Sequence, residues 1–172
     1  GSRPDATLKS PGGVVCHCVG KFPAHSKSDL PKGPNVKSKL TVGGDCGNGT
    51  AGAFALQVLE AIGCEVVRRD CELDHTFPKY NPNPEDLEML HAMRDEVLRT
   101  KADVGLGFDG DGDRCGVVDD HGEEIFADKV GVMLARDMST LHPNSTFVVD
   151  VKSTGLYVTD PVLKKNGVKA DY

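Results

Sequence analysis

The spacing of apolar residues changes at Lys39. From there on, short apolar runs alternate with stretches of helical period, whereas residues 1–38 hold one such run, Val14–Val19, among Pro4, Pro11, Pro23, Pro31 and Pro34. Proline and glycine at that density interrupt helix and ladder alike, so residues 1–38 read as a linker or the remnant of a preceding element. Leu40–Gly44 then predicts a strand and Asp45–Thr50 a glycine-rich turn. Residues 51–62 predict a helix, with Phe54, Val58 and Ile62 at i, i+4 and i+8 on one face. Gly63 stands where helices end in left-handed backbone, and Cys64–Val67 predicts a second strand. After a connection over 68–82, Asn83 reads as an N-cap, Pro84 as the first helical residue, and Glu85 and Asp86 as first-turn acids. Leu87, Leu90, Val97 and Leu98 supply that helix with a stripe, which makes His91 a partly buried structural histidine. Strands follow at 103–108 and Cys115–Asp119, with a turn at Asp120-His121-Gly122.

The pattern then restarts. Residues 128–138 predict a helix and Phe147–Val151 a strand. A turn at Lys152-Ser153-Thr154-Gly155, a helix reaching Lys165, an Asn166-Gly167 cap and a strand opening at Val168 complete it. Val42-Gly43-Gly44-Asp45 and Val148-Val149-Asp150 are alike: a strand ends in Asp, a polar turn follows, and a helix ends at a Gly 18 residues after Asp45 and 17 after Asp150. The chain therefore reads as an α/β protein with one complete unit at 39–122 and the opening of a second of the same plan at 123–172. A unit of about 50 residues is too small to bury a full core alone, which predicts a piece of a longer protein. The Gly1-Ser2 start, with neither Met nor a leader, fits a tag scar or an internal cut.

Between the strands at 103–108 and 115–119 lies Asp109-Gly110-Asp111-Gly112-Asp113-Arg114. Three carboxylates at every second position repel one another unless a cation sits among them. Their hard oxygens suit Mg²⁺, Mn²⁺ or Ca²⁺, and no Cys or His in the loop favours zinc. The turn at 45–50 matches neither common glycine-rich phosphate motif, so tight turning is the preferred reading there. Net charge −6 and a pI near 5.5 disfavour nucleic acid and anionic membranes as partners. No apolar run reaches the length that spans a bilayer. The six cysteines include no Cys-x-x-Cys pair. Cys46, Cys64, Cys71 and Cys115 lie in or beside apolar segments and read as reduced core residues, which points to a cytoplasmic protein. Cys16-His17-Cys18 has no second ligand pair at finger spacing, and Ala24-His25-Ser26 reads as an exposed loop.

Gly107-Phe108-Asp109-Gly110-Asp111-Gly112-Asp113-Arg114 resembles the metal loop of the α-D-phosphohexomutases, and within them the bacterial phosphomannomutase/phosphoglucomutase branch. Asp45-Cys46-Gly47-Asn48-Gly49, Asn81-Pro82-Asn83-Pro84-Glu85 and Asp150-Val151-Lys152 are similar to family stretches in order and spacing, so the likeness runs over about 39–172. It implies a mixed four-stranded sheet packed with helices, here the family's whole second domain and the start of its third. It implies that Asp109, Asp111 and Asp113 bind Mg²⁺, with Mn²⁺ as an alternative, that Arg114 contacts phosphate, and that Lys152 contacts substrate. The implied activity is interconversion of hexose 1-phosphate and hexose 6-phosphate, of mannose or glucose, through a phosphoserine and a hexose 1,6-bisphosphate. The serine loop that would carry the phosphoryl group is absent from these 172 residues, so the catalytic residue and the remaining domains are expected elsewhere in the protein.

Two other classes fit the sequence less well. A Mg²⁺-dependent haloacid-dehalogenase-like phosphatase needs Asp-x-Asp, but Asp45-Cys46-Gly47 has Gly at the second position. A non-catalytic divalent-metal module of EF-hand type puts Arg114 where Gly is required and Asp120 where Glu is expected.

Overall fold

The computed structural model describes residues 39–172, so the strand expected at Val14–Val19, the linker over 1–38, Cys16-His17-Cys18 and His25-Ser26 lie outside the described residues. Two compact units divide between Glu123 and Glu124.

The first unit is built on β1 (Thr41–Asp45), β2 (Glu65–Arg69), β3 (Val104–Phe108) and β4 (Cys115–Asp119). β1 pairs parallel with β2 and with β3, and β3 pairs antiparallel with β4. The strand order of this unit is β2-β1-β3-β4. The expected mixed four-stranded sheet is therefore present. β1 and β3 are rich in glycine, which lets helices lie close. A Cβ on Gly105 would sit 2.7 Å from Val97 Cγ2, and one on Gly107 would sit 3.0 Å from Met93 Cε.

The helix expected over 51–62 is divided. A 3-10 turn (Thr50–Ala53) precedes α1 (Ala55–Ala61), and Phe54 between them leaves helical geometry at φ −142°. That break turns the inward face away from the predicted stripe. Leu56 is the fully buried residue of α1, while Ile62 is 50% exposed. Gly63 does take φ +103°, as its position predicted.

Helix α2 (Leu87–Thr100) begins three residues later than expected. Asp86 is the N-cap and accepts from Glu88 N, while Asn83 uses its side chain on Glu85 N and on Arg114 instead. Pro84 is buried, and its Cβ lies 2.7 Å from where a Cβ on Gly116 would stand. Two of the four residues of the predicted stripe, Leu90 and Val97, face the core. Met89, Leu90, Met93 and Val97 are buried, Leu87 and Leu98 are not, and His91 is exposed rather than structural. Met89, Leu90, Met93 and Val118 form one apolar cluster, and Cys46, Ala51 and Leu56 another. Of the cysteines expected in the core, Cys46 is buried, Cys64 and Cys71 are half-buried, and Cys115 is exposed; none of these four is in a disulfide.

The second unit contains the two-residue β5 (Glu124–Ile125), α3 (Ala127–Leu141), β6 (Thr146–Val148) and β7 (Lys169–Asp171), with β6 and β7 pairing in parallel. One expected helix is again two, α4 (Leu156–Thr159) and α5 (Pro161–Lys165). Pro161 cannot continue α4. Asp160 caps α5, accepting from Val162 N at 2.9 Å and Leu163 N at 3.1 Å. Val132, Ala135, Tyr157 and Leu163 form the small core. Among the described residues no helix is long and apolar enough to cross a membrane.

Candidate metal centre

β1, β2 and β3 run parallel, so their C-terminal ends share one edge of the sheet, and the turns after β1 and β3 meet there. The acidic loop leaves β3 at Asp109, which is 3% exposed. Gly112 N donates to the Asp109 carbonyl at 3.1 Å, and Asp109 N donates to the Arg114 carbonyl at 3.3 Å, which closes the loop. Gly112 takes φ +78°, a conformation in which a side chain is strained. Gly110 has no positive φ, so of the two glycines only Gly112 is required by backbone geometry.

One ligand oxygen from each of Asp109, Asp111 and Asp113 lies within 4.8 Å of the others. Asp111 and Asp113 are exposed. Asp109 is held by Arg114, whose backbone N donates to Oδ1 at 3.1 Å and whose Nε donates to Oδ2 at 2.8 Å. Burial raises the Asp109 carboxyl, but the bonds from Arg114 and Asp113 outweigh it and leave it below its ordinary value. The Asp113 carboxyl moves the other way. Its hydrogen bond to Asp109, and then the charges of Asp111 and Asp109, push it up. Carboxylates crowded in this way drive one another's titration apart. The donor set is oxygen only, one anchored carboxylate and two accessible ones, which fits a hard divalent cation.

The loop rests on the turn after β1. Thr50 N and Thr50 Oγ1 both donate to the Gly110 carbonyl, at 3.0 and 3.2 Å. A Cβ on Gly49 would come within 2.9 Å of that carbonyl oxygen. The other N–H groups of the turn are also spent within the chain: Gly47 N on Asp45, Asn48 N on Asp70, and Gly49 N on Cys46. The turn thus supports the acidic loop and keeps no N–H row for a phosphate.

Beneath the turn lies a buried polar network. Asp45, 2% exposed, accepts from Tyr80 OH at 2.9 and 2.7 Å and from Gly47 N at 3.0 Å. Arg69 Nε stands 3.5 Å from Asp45 Oδ2, and Arg69 Nη1 donates to Glu96 at 3.3 Å. Burial pushes the Asp45 carboxyl up against the lowering bonds from Tyr80 and Gly47. Burial and the Asp45 carboxylate push the Tyr80 phenol well above its ordinary range, so it remains a donor. Sequence reasoning found neither Thr50 nor Tyr80. The shared strand edge that unites them is a property of sheet order, and no local motif signals it.

The structure brings Asp109, Asp111, Asp113 and Arg114 together in one loop. Lys152 belongs to the second unit, where it is exposed on the turn after β6 and its backbone N donates to Asp150 at 2.7 Å. Asp119, Asp120 and His121 also lie close, but Asp119 there accepts from His121 N and Glu123 N, and Asp120 pairs with the His121 ring. That is the bonding of a surface turn.

The α/β architecture of the chain agrees with the comparisons. Residues 22–122 match the family described as phosphoglucomutase/phosphomannomutase, alpha/beta/alpha domain II, and the chain belongs to that family. The match opens at residue 22, inside the 1–38 stretch set apart above. The Pseudomonas putida phosphomannomutase/phosphoglucomutase is 42% identical over 135 residues, covering 78% of this chain and 29% of that protein. The Neisseria gonorrhoeae phosphoglucomutase is 36% identical over 135 residues, with the same coverage of 78% and 29%. A Burkholderia thailandensis phosphoglucomutase/phosphomannomutase family protein of known structure superposes with TM-score 0.79 at 29% identity, over 89% of this chain and 32% of that one. This chain thus spans under a third of the length of these relatives.

Proposed function

We propose that this chain supplies the Mg²⁺-binding loop of a phosphohexomutase that interconverts hexose 1-phosphate and hexose 6-phosphate. The carrying observation is the cluster of Asp109, Asp111 and Asp113, with ligand oxygens within 4.8 Å, at the C-terminal edge of a parallel strand set. Those three residues hold the cation, Mg²⁺ or Mn²⁺, whose chemistry is to offset phosphoryl charge during transfer. Asp109 is oriented in advance by Arg114. The Arg114 side chain is 51% exposed, so part of its donor fork faces outward, where a planar guanidinium suits phosphate oxygens. Lys152 is the further substrate contact, held on its turn by Asp150.

The phosphoryl-carrying serine lies in a part of the protein outside these 172 residues, and the isolated chain is inactive. The hexose 1,6-bisphosphate intermediate is bound by the complete protein, which acts in the cytoplasm. Helix α3 supports a longer parent. Leu134, Met138 and Leu141, at i, i+4 and i+7, are 60%, 52% and 72% exposed, an apolar stripe suited to cover by further chain.

The test is a coupled assay of the full reading frame for conversion of mannose 1-phosphate and glucose 1-phosphate to the 6-phosphates, beside Asp111→Ala. Turnover with Mg²⁺ that the substitution abolishes is expected. Phosphate release without isomerisation would overturn the proposal in favour of a phosphatase.

A further inference from the structure

Cys46 and Cys71 follow β1 and β2 at the same edge of the sheet. The parallel register pairs Asp45 with Arg69, so the cysteines stand one and two residues beyond a paired position. Both converge on one carbonyl: Cys46 N donates to Arg69 O at 3.2 Å, and Cys71 Sγ donates to the same oxygen at 2.9 Å. Cys71 Sγ also reaches back across to Gly44 O of β1 at 3.4 Å. Cys71 packs onto the cluster that holds Cys46. Cys46 is fully buried, Cys71 half-buried. The other two cysteines among the described residues lie elsewhere, Cys64 before the N-terminal end of β2 and Cys115 at the start of β4.

We propose that Cys71 and Cys46 form a peroxide-sensitive thiol pair, in which Cys71 is oxidised first and Cys46 closes a disulfide onto it. The Cys71 thiolate attacks hydrogen peroxide; the O–O bond breaks, an S–O bond forms, and water leaves after protonation. The Cys46 sulfur then attacks the sulfenic sulfur as its thiol proton passes to the leaving oxygen; an S–S bond forms, the S–O bond breaks, and a second water leaves. Two thiols are oxidised by two electrons in all and one peroxide is reduced to two waters. The order follows access, since an oxidant reaches the half-buried sulfur first. It also follows acidity. The neighbouring Cys46 thiol holds Cys71 below its ordinary value, whereas contact with Cys71, and then burial, push Cys46 up. The pair borders the metal centre's support. Cys46 opens the turn that ends at Thr50, and a Cβ on Gly52 would overlap the Cys71 carbonyl.

The test treats the folded 172-residue chain with hydrogen peroxide, alkylates the remaining thiols and maps all six cysteines by peptide mass spectrometry. The expected product is one crosslink joining the Cys46 and Cys71 peptides, the two thiols lost together and recovered with dithiothreitol. In Cys46→Ala, with circular dichroism matching the parent, Cys71 becomes trappable as a sulfenic acid by dimedone. A crosslink of Cys71 to any other cysteine overturns the pairing. So does Cys71 sulfinic acid formed while Cys46 stays a thiol, or a pair that reacts only after urea is added.

Discussion

Replacing Tyr80 by Phe removes one hydroxyl and leaves the ring on the cluster of Met89, Leu90, Met93 and Val118. The hydroxyl donates to Asp45 at 2.9 and 2.7 Å, one proton shared between two carboxylate oxygens. Without it, a carboxylate that is 2% exposed keeps only the Gly47 N–H at 3.0 Å and an Arg69 guanidinium whose Nε is 3.5 Å away. A hydrogen bond to a charged group is worth about 1.5–3 kcal/mol. We therefore expect Tyr80→Phe to lower stability by about 2 kcal/mol, or roughly 10 °C in Tm for a unit of this size. Urea unfolding followed by circular dichroism at neutral pH should show a lower midpoint at unchanged slope. The sign with pH is fixed too. The Asp45 carboxyl is raised by burial above the ordinary 3.8, so its ionisation opposes folding, and its contribution to stability falls as pH rises from 3.8 through the folded value. Loss of the Tyr80 bond raises that carboxyl further, so the deficit of Tyr80→Phe must shrink on acidification as Asp45 becomes protonated. A deficit under about 0.5 kcal/mol at neutral pH would refute the reasoning, because surface changes away from such features stay within that range. So would a deficit that does not change with acid.

Three further outcomes follow. Gly52→Ala places a Cβ on the Cys71 backbone carbonyl, which cannot swing aside, and should cost about 1–3 kcal/mol in urea unfolding. Asp111→Asn should weaken Mn²⁺ binding to the chain, read by electron paramagnetic resonance, while the far-ultraviolet circular dichroism stays the same, because Asp111 is exposed. Asp160 is held below its ordinary 3.8, first by Arg136 and then, against burial, by the Leu163 and Val162 N–H groups. Its stabilisation is present above 3.8 and is lost as pH falls through the folded value, so Asp160→Ala should flatten the acid limb of the pH–stability profile.

Where local chemistry settles an element, the sequence was legible. The apolar run before Asp109 and the alternating glycines gave β3 and its loop correctly, since both depend on neighbours in sequence. Helix ends were less legible. Asn83-Pro84 has the form of a helix start, yet Asn83 is recruited by Arg114 and Pro84 by the backbone at Gly116, so Asp86 becomes the cap. Of the predicted stripe Leu90 and Val97 are buried and Leu87 and Leu98 are not, and His91 stands in solvent. The helix expected at 51–62 holds from Ala55 to Ala61, with a 3-10 turn in place of its start. Its first turn is tied through Thr50 to the acidic loop, a partner 60 residues away. The turn at 45–50 was recognised as tight, but what it grips was not readable from spacing.

The acidic loop owes its position to sheet order more than to its own residues. Had β3 paired antiparallel with β1, the turns after Asp45 and Phe108 would lie at opposite ends of the sheet. Parallel pairing puts them at one edge, where ligands bind in open α/β sheets. There Thr50 can hold Gly110, and Gly49 can let the two backbones approach. Arg114, on the way into antiparallel β4, closes the loop from its other side by gripping Asp109. Only one of the three carboxylates is thus committed to the fold. Asp109 is fixed and buried, while Asp111 and Asp113 are left exposed. A loop held through its backbone and through a single carboxylate keeps its shape when the charge between its carboxylates changes, which is what the proposed cation site requires.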